Sequence, residues 1–150
     1  MEPITIRRAE WRDGLAIADF NQKMALETEN KTLTPDVVLA GVGALFDNPA
    51  LGFYLVAEVA GQVVASLMIT REWSDWRNGV FWWIQSVYVV PGFRRQGIYR
   101  RMYGAVKELA AAEPNVRGFR LYVDQENSRA QATYKALGME ESPYRIFEGM

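Results

Sequence analysis

The sequence contains neither cysteine nor histidine among its 150 residues. Disulfide bonds, thiolate nucleophiles and sites in which Cys or His binds a metal are therefore excluded, and so is a Ser-His-Asp triad. Any acid–base chemistry must use Glu, Asp, Tyr, Lys or a relayed water. We therefore expect a protein that works without a metal.

Net charge and long apolar runs are also scarce. The chain carries 17 Lys and Arg against 18 Asp and Glu, which gives a net charge of -1. This balance disfavours a general nucleic-acid-binding protein, because such proteins are normally basic. No apolar run approaches the length of a membrane span, and the first residues, MEPITIRRAE, lack the apolar core of a signal peptide. We expect a cytoplasmic protein that binds neither nucleic acid nor a membrane.

What remains is the composition of an ordinary globular domain. Apolar residues make up 49% of the chain and charged residues 23%, and the length is typical of one domain. The sequence has no internal repeat, no low-complexity tract and no linker-like change in composition. We predict a single domain over residues 1–150.

Hydrophobic periodicity predicts elements in the order β-α-α-β-β-β-α-β-α-β. A helix should begin at Pro35 after an N-cap at Thr34, a hairpin should turn at Ala60-Gly61, and a last strand should cover residues 144–149. Because strands and helices are interleaved in the second half, we predict an α/β fold in which a central mixed sheet carries helices on both faces.

One stretch, VYVVPGFRRQGIYRRMYG at residues 87–104, joins an apolar strand to a basic helix. A turn at this point presents unpaired backbone N–H groups at a helix N-terminus, which favours an anion. Arg94 and Arg95 would add charge-assisted hydrogen bonds suited to phosphate, and Gly97 would let a large polyanion approach the backbone. The alternative is a solvated basic first turn that begins with a glycine.

Two segments resemble the GNAT superfamily of acyl-CoA-dependent N-acyltransferases. The family signature, Gln/Arg-x-x-Gly-x-Gly/Ala between a strand and a helix, is similar to RRQGIY at residues 94–99. The second segment, NSRAQATYKALGM at residues 127–139, matches the family's Asn, Ala, Tyr and Leu-Gly-Phe/Met positions. The chain departs from the signature at Tyr99, where the family usually has Gly or Ala. The ring of Tyr99 either packs on the sheet or reshapes the cofactor site.

This resemblance implies a GNAT-like fold that uses acetyl-CoA as co-substrate. The end of the strand before the signature would offer backbone groups to the pantetheine arm and to the oxyanion, and the following turn would bind the pyrophosphate. Tyr134 would protonate the departing thiolate. The cofactor-binding residues implied are Val87, Tyr88, Val89, Arg94, Arg95, Gln96, Gly97, Ile98, Tyr99, Arg100, Asn127, Ala130 and Tyr134. On the residues alone, Asn127 could be only a helix cap and Tyr134 only a packing residue.

The acceptor amine must lose a proton, so a base is needed. Many family members carry a Glu on the strand before the signature, but FWWIQSVYV has no carboxylate here. The candidates for the base or for acceptor binding are Glu27, Glu29 and Glu72, and further acceptor-binding candidates are Trp73, Asp75 and Gln85. An acidic and aromatic pocket favours a cationic acceptor. The competing interpretation is a solvated helix end at Glu27 and Glu29 and a capped turn at Asp75.

Three functions remain open at this point. The first is acetyl transfer to a primary amine of a small, cationic molecule by direct attack in a ternary complex, because no cysteine is present to form an acyl-enzyme. The second is acetylation of a protein lysine or N-terminus. The third is a non-catalytic acyl-CoA-binding sensor. A homodimer stays open as the oligomeric state.

Overall fold

A mixed five-stranded sheet forms the centre of the protein, for which a computed structural model describes residues 2–150. The strands are β1 (Ile4–Arg8), β2 (Gly52–Val59), β3 (Gln62–Ser74), β4 (Gly79–Val89) and β5 (Val116–Arg120). They lie side by side in the order β1-β2-β3-β4-β5. The first four are antiparallel neighbours, and β5 runs parallel to β4.

Three α-helices connect these strands, a fourth follows β5, and two short 3-10 helices precede α1 and α3. The α-helices are α1 (Gly14–Glu29), α2 (Pro35–Asp47), α3 (Ile98–Ala111) and α4 (Ser128–Ala136), and the 3-10 helices are Trp11–Asp13 and Pro91–Phe93. Thr34 is the N-cap of α2 and Pro35 its first residue, as the sequence predicts. None of the helices in the described residues is both long enough and apolar enough to cross a membrane.

The β2–β3 hairpin turns where the sequence predicts it. Ala60 and Gly61 take positive φ angles of 50° and 77°, the backbone that a two-residue hairpin turn of type I′ requires. The strands are then paired from Val59 opposite Gln62 out to Gly52 opposite Thr70.

Apolar layers cover both faces of the sheet, which confirms the predicted fold class. On one face, Leu67 and Trp82 of the sheet are buried against Met102 and Val106 of α3. On the other face, Ile17 of α1 and Val42 and Leu45 of α2 pack on β2. Full burial of such side chains contributes about 1.5–3 kcal/mol each. The sheet is therefore held rigidly between α3 and the α1–α2 pair.

The predicted last strand is wrong. Residues 144–149 form no strand, and all residues from 140 to 150 are exposed. Strand-forming residue types are present there, but local propensity does not fix pairing, and the segment makes no backbone–backbone hydrogen bond with the free edge of β5 or with any other described strand. The sequence VRGFRLYVD also predicts a strand over residues 116–124, but β5 ends at Arg120.

Candidate active site

Strands β4 and β5 separate halfway along β4. Their parallel pairing ends at Trp83 and Arg120, so residues 84–89 of β4 have no partner in β5. On its other side β4 stays paired with β3 as far as Val89. The result is a gap in which one edge of β4 presents backbone groups that the sheet does not use.

A β-bulge lies beside this gap. The register between β3 and β4 passes from Met68 opposite Gln85 to Ser66 opposite Tyr88, so β4 contains one extra residue. Ser86 has a φ angle of 53°, which non-glycine residues seldom adopt. A bulge bends a strand and redirects its side chains. The bulge therefore brings Tyr88 onto the same sheet face as Gln85, toward α1.

The turn from β4 into α3 has the backbone of an anion-binding site. Arg95 and Gly97 have φ angles of 63° and 77°, and Gly97 is the N-cap of α3. The first helical hydrogen bond runs from the Arg101 N–H to the Gly97 carbonyl, so the N–H groups of residues 98–100 precede it. A Cβ atom on Gly97 would meet no atom within 4 Å. The approach to these N–H groups is therefore open.

Arg94 points from this turn toward α1. Its Nε donates to the Val89 carbonyl at 2.7 Å, and its Nη2 contacts Glu27 Oε2 at 2.8 Å. Gln96 donates to the Gly92 carbonyl, while the side chains of Arg95 and Arg100 are exposed. Of the predicted cofactor-binding side chains in the turn, Arg94 thus already has an internal anionic partner.

Tyr134 of α4 lies beside the first turn of α3. Its ring packs edge-on against Tyr99 at 5.7 Å, and Tyr99 stacks on Tyr103 at 6.4 Å between centroids. Burial raises the pKa of the Tyr134 phenol, which keeps it protonated. The Tyr99 hydroxyl is buried and has no hydrogen-bond partner among the described residues. Of the two alternatives for Tyr99, the ring packs against the core.

Asn127 caps the helix that carries Tyr134. Its Oδ1 accepts from the N–H of Ala130 at 3.1 Å, which fixes the start of α4. Asn127 is therefore a helix cap, as the sequence suggested, and the cap uses its side-chain oxygen but not its NH2 group.

Glu27, near the end of α1, reaches β4. The Tyr88 hydroxyl donates to Glu27 Oε1 at 3.2 Å, and the Tyr88 ring packs on Phe20 at 5.2 Å. Burial, together with the nearby Glu27 charge, raises the pKa of Tyr88. Tyr88, Glu27 and Arg94 thus form a continuous polar chain between the α1 face of the sheet and the turn that precedes α3. Sequence reasoning considered only the backbone of Tyr88.

A second polar cluster lies on the same face of the sheet. Glu72 accepts from Trp83 Nε1 at 3.0 Å and from Arg120 Nη1 at 2.8 Å. Gln85 donates to the Thr70 hydroxyl at 2.6 Å. Arg120 was not among the residues predicted from the sequence. Because successive strand residues point to opposite faces and Phe119 faces the α3 layer, Arg120 must point to the other face, beside Glu72.

The remaining acceptor-side candidates are exposed to solvent. Glu29 is exposed and pairs with Lys31 at 3.4 Å. Trp73 is 60% exposed and Asp75 is exposed at the β3–β4 turn. The structure thus brings Glu27, Glu72 and Gln85 to one sheet face and leaves the other candidates on the periphery.

Comparisons with known proteins identify the family. A model of the acetyltransferase (GNAT) family matches residues 10–139. A possible acetyltransferase from Clostridium difficile 630 is 46% identical, covering 99% of this chain and 98% of that one, with a TM-score of 0.92.

The fold is shared with more distant proteins. An aminoglycoside N-acetyltransferase in complex with CoA is 17% identical, covering 100% and 96% of the two chains, with a TM-score of 0.77. Glucosamine-6-phosphate N-acetyltransferase from Arabidopsis thaliana is 16% identical, covering 99% of both chains, with a TM-score of 0.76. The chain therefore belongs to the acetyltransferase (GNAT) family, and within it this chain combines a gap beside a bulged strand, an open turn before a helix and a half-buried tyrosine next to that turn.

Proposed function

We propose that the protein transfers the acetyl group of acetyl-CoA to a primary amine of a small, cationic acceptor in the cytoplasm. The observation that carries this proposal is the gap between β4 and β5, which leads into the turn at Gly97 and lies near Tyr134. A linear thioester with a diphosphate at one end fits a slot that ends in free N–H groups.

The backbone of β4 would hold the acyl-pantetheine arm. Past Trp83, β4 has no neighbour on the β5 side, so the backbone of Val87 and the N–H of Val89 would bond the arm, whereas the Val89 carbonyl already accepts from Arg94 Nε. An N–H of one of these residues would also stabilise the oxyanion of the tetrahedral intermediate. The N–H groups of residues 98–100 would bind the pyrophosphate, and Asn127 would contact the pantetheine.

The proton balance uses a base and Tyr134. The neutral amine attacks the thioester carbonyl, the C–N bond forms, and the C–S bond breaks as the intermediate collapses. The amine proton passes to a carboxylate or to a relayed water, and Tyr134 gives its phenolic proton to the departing thiolate. Because no cysteine is available for an acyl-enzyme, the reaction proceeds in a ternary complex.

Glu27 and Glu72 are the carboxylates that the structure favours for the acceptor side. Both lie on the face of the sheet that β4 presents to α1, and both have aromatic neighbours, Tyr88 and Trp83. Glu29, which is paired with Lys31 in solvent, is less well placed. Carboxylates beside aromatic rings suit a cationic amine. The neighbours named for aminoglycosides and for glucosamine-6-phosphate support a small-molecule acceptor.

Release of CoA from acetyl-CoA, measured against a panel of amines, tests the proposal. The panel should contain a polyamine, a basic amino acid, an amino sugar, a neutral aromatic amine and a lysine peptide. We expect turnover to be highest with a small polycation and to fall in Glu72→Gln. Preference for neutral or anionic acceptors would refute the cationic site. Preference for the peptide would make the protein a lysine acetyltransferase, and CoA binding without transfer to any amine would make it a sensor.

A further inference from the structure

Arg120 is the last residue of β5, and its side chain lies at the point where β4 and β5 separate. Its backbone is opposite Trp83 in the last pair of the parallel ladder. Its guanidinium carbon lies 3.7 Å from the centroid of the Phe81 ring, and its Nη1 donates to Glu72 Oε1 at 2.8 Å. The side chain is 31% exposed, so these contacts hold most of it against the sheet. The proposed reaction assigns Arg120 no role.

Three neighbouring strands each supply one side chain to this contact. Glu72 comes from β3, Trp83 from β4 and Arg120 from β5. Strand residues two apart share a face of the sheet, so Trp83 lies on the same face as Gln85. Strands β3 and β4 are paired along this whole region. The contact therefore lies on a rigid part of the sheet, where the gap between β4 and β5 begins.

Both hydrogen bonds to Glu72 use the same carboxylate oxygen. Trp83 Nε1 donates to Oε1 at 3.0 Å, and Arg120 Nη1 donates to Oε1 at 2.8 Å. Among the residues that the structure describes, none donates to Oε2, and the Glu72 side chain is 43% exposed. An ionised carboxylate accepts hydrogen bonds at both oxygens. Glu72 is thus held at one oxygen and accessible to a ligand at the other.

Two donors on Oε1 prepare Glu72 to bind an amine. A glutamate side chain in solvent samples several rotamers, and a ligand that binds it must restrict them. Because donors from two other strands already fix Oε1, this restriction is in place before the acceptor arrives. The charge of Arg120 also offsets that of Glu72. An ammonium group at Oε2 would therefore depend on a directed, charge-assisted hydrogen bond more than on long-range attraction.

We propose that Arg120 is a positioning residue of the acceptor site: with Trp83 it fixes Glu72 Oε1, so that Oε2 binds the acceptor amine. The inference rests on the proposed function, which places Glu72 on the acceptor side. Arg120 itself does not contact the amine. Its effect on acetyl transfer acts through Glu72, so that effect should disappear when Glu72 is replaced. This dependence distinguishes positioning from a general structural role.

A double-mutant cycle measures the dependence, with spermidine as the acceptor probe. Arg120→Met removes the donors and keeps a side chain long enough to cover Phe81. It should lower kcat/KM for spermidine about tenfold, as expected for the loss of one hydrogen bond to a charged group, and leave KM for acetyl-CoA unchanged. Arg120→Lys, which keeps a charged donor, should recover part of the loss. In the Glu72→Gln background, Arg120→Met should have almost no further effect, and a loss of equal size in both backgrounds would overturn the inference.

Arg77→Gln is the matched control. The guanidinium carbon of Arg77 also lies near the Phe81 ring, at 5.0 Å, but its Nη1 donates to the Ser74 hydroxyl and not to Glu72. This variant should keep the wild-type kcat/KM for spermidine. An equal loss in Arg77→Gln and Arg120→Met would assign the effect to positive charge near Phe81 and contradict the inference. So would a wild-type kcat/KM in Glu72→Gln, with acetyl transfer itself intact.

The indole of Trp83 provides a measurement that does not require acetyl transfer. Its N–H proton resonance, assigned with Trp83→Phe, should shift in Glu72→Gln and in Arg120→Met but not in Arg77→Gln, because it reports the hydrogen bond to Glu72. An unshifted resonance in Arg120→Met would overturn the inference even in an active enzyme. If no amine is acetylated but the resonance shifts as expected, the proposed function is refuted, whereas the hold of Arg120 on Glu72 is supported.

Discussion

At the scale of single residues, Tyr99 shows how a bulky side chain is accommodated at a position where the signature that this sequence resembles has Gly or Ala. Its backbone lies in the first turn of α3, but its ring turns away and packs between Tyr103 and Tyr134. The approach to the helix N-terminus stays open because the ring does not occupy it. Tyr99 instead forms one wall around Tyr134, the residue that we propose as the acid and whose pKa is raised by burial.

Tyr134→Phe should lower kcat by about 100-fold, because the acid that protonates the thiolate is lost. The affinity for CoA should change little, since the ring and its contact with Tyr99 remain. Initial rates and calorimetric CoA titration measure the two quantities. Tyr122→Phe, at an exposed tyrosine, is the control and should keep normal kcat. Equal rates for Tyr134→Phe and the wild type would remove Tyr134 from the mechanism.

Gly97→Val should weaken CoA binding by about 100-fold, which corresponds to losing one or two hydrogen bonds to a charged group. The side chain would project into the open space beside the N–H groups of residues 98–100, at a φ angle of 77° that valine disfavours. Gly104→Ala, within α3 and with room for a methyl group, separates this effect from helix changes and should bind CoA normally. Undiminished affinity in Gly97→Val would exclude this turn as the pyrophosphate site.

At the scale of elements, the bulge in β4 governs the site. Without the extra residue, the side-chain alternation of β4 would turn Tyr88 to the α3 face, away from Glu27. The bulge is held by Ser86 in a left-handed conformation. The position of Tyr88 beside Glu27, and with it the proposed acceptor wall, thus depends on one backbone irregularity.

Ser86→Val should destabilise the protein by about 1–2 kcal/mol, because a β-branched residue is strained at a φ angle of 53°. It should also raise KM for acetyl-CoA as the bulge relaxes. Ser86→Gly, which accepts this backbone without strain, should keep a normal KM. Urea denaturation and initial rates are the measurements. A valine variant as stable and active as the glycine variant would show that the bulge is not under this constraint.

At the scale of the whole molecule, the sequence predicts the parts that depend on local signals. The hairpin at Ala60-Gly61 and the cap at Asn127 are local, and each forms as predicted. The contact of Tyr88 with Glu27 joins residues 61 apart, so no periodicity indicates it. The failure at residues 144–149 has the same origin, since strand propensity is local but pairing is not.

The composition of the whole chain also determines how activity should depend on pH. The chain has no histidine or cysteine, the side chains whose ordinary pKa values are about 6.5 and 8.5, so neither can titrate in this pH range. Burial raises the pKa of Tyr134, so the proposed acid stays protonated beyond its ordinary range of about 10. We expect kcat/KM to rise with pH as the acceptor amine deprotonates, with no decline until above pH ~10.

Two acceptors whose amines differ in pKa provide the test of this pH dependence. The inflection of kcat/KM should move with the acceptor, because the acceptor and not the protein supplies the titrating group. An inflection at the same pH for both acceptors would assign it to a protein group and contradict the expectation.

Arg94 has one further consequence, for the order in which substrates bind. Its guanidinium neutralises Glu27 and bonds the Val89 carbonyl at the end of β4. A diphosphate bound at the neighbouring turn would compete with Glu27 for this cation. Because the Arg94 side chain is 42% exposed, it has room to change rotamer and contact the diphosphate. Once Arg94 turns to the diphosphate, Glu27 regains an unneutralised charge, which attracts a cationic amine. We therefore expect compulsory-order kinetics, with acetyl-CoA first and the amine second, and a random order in Arg94→Gln.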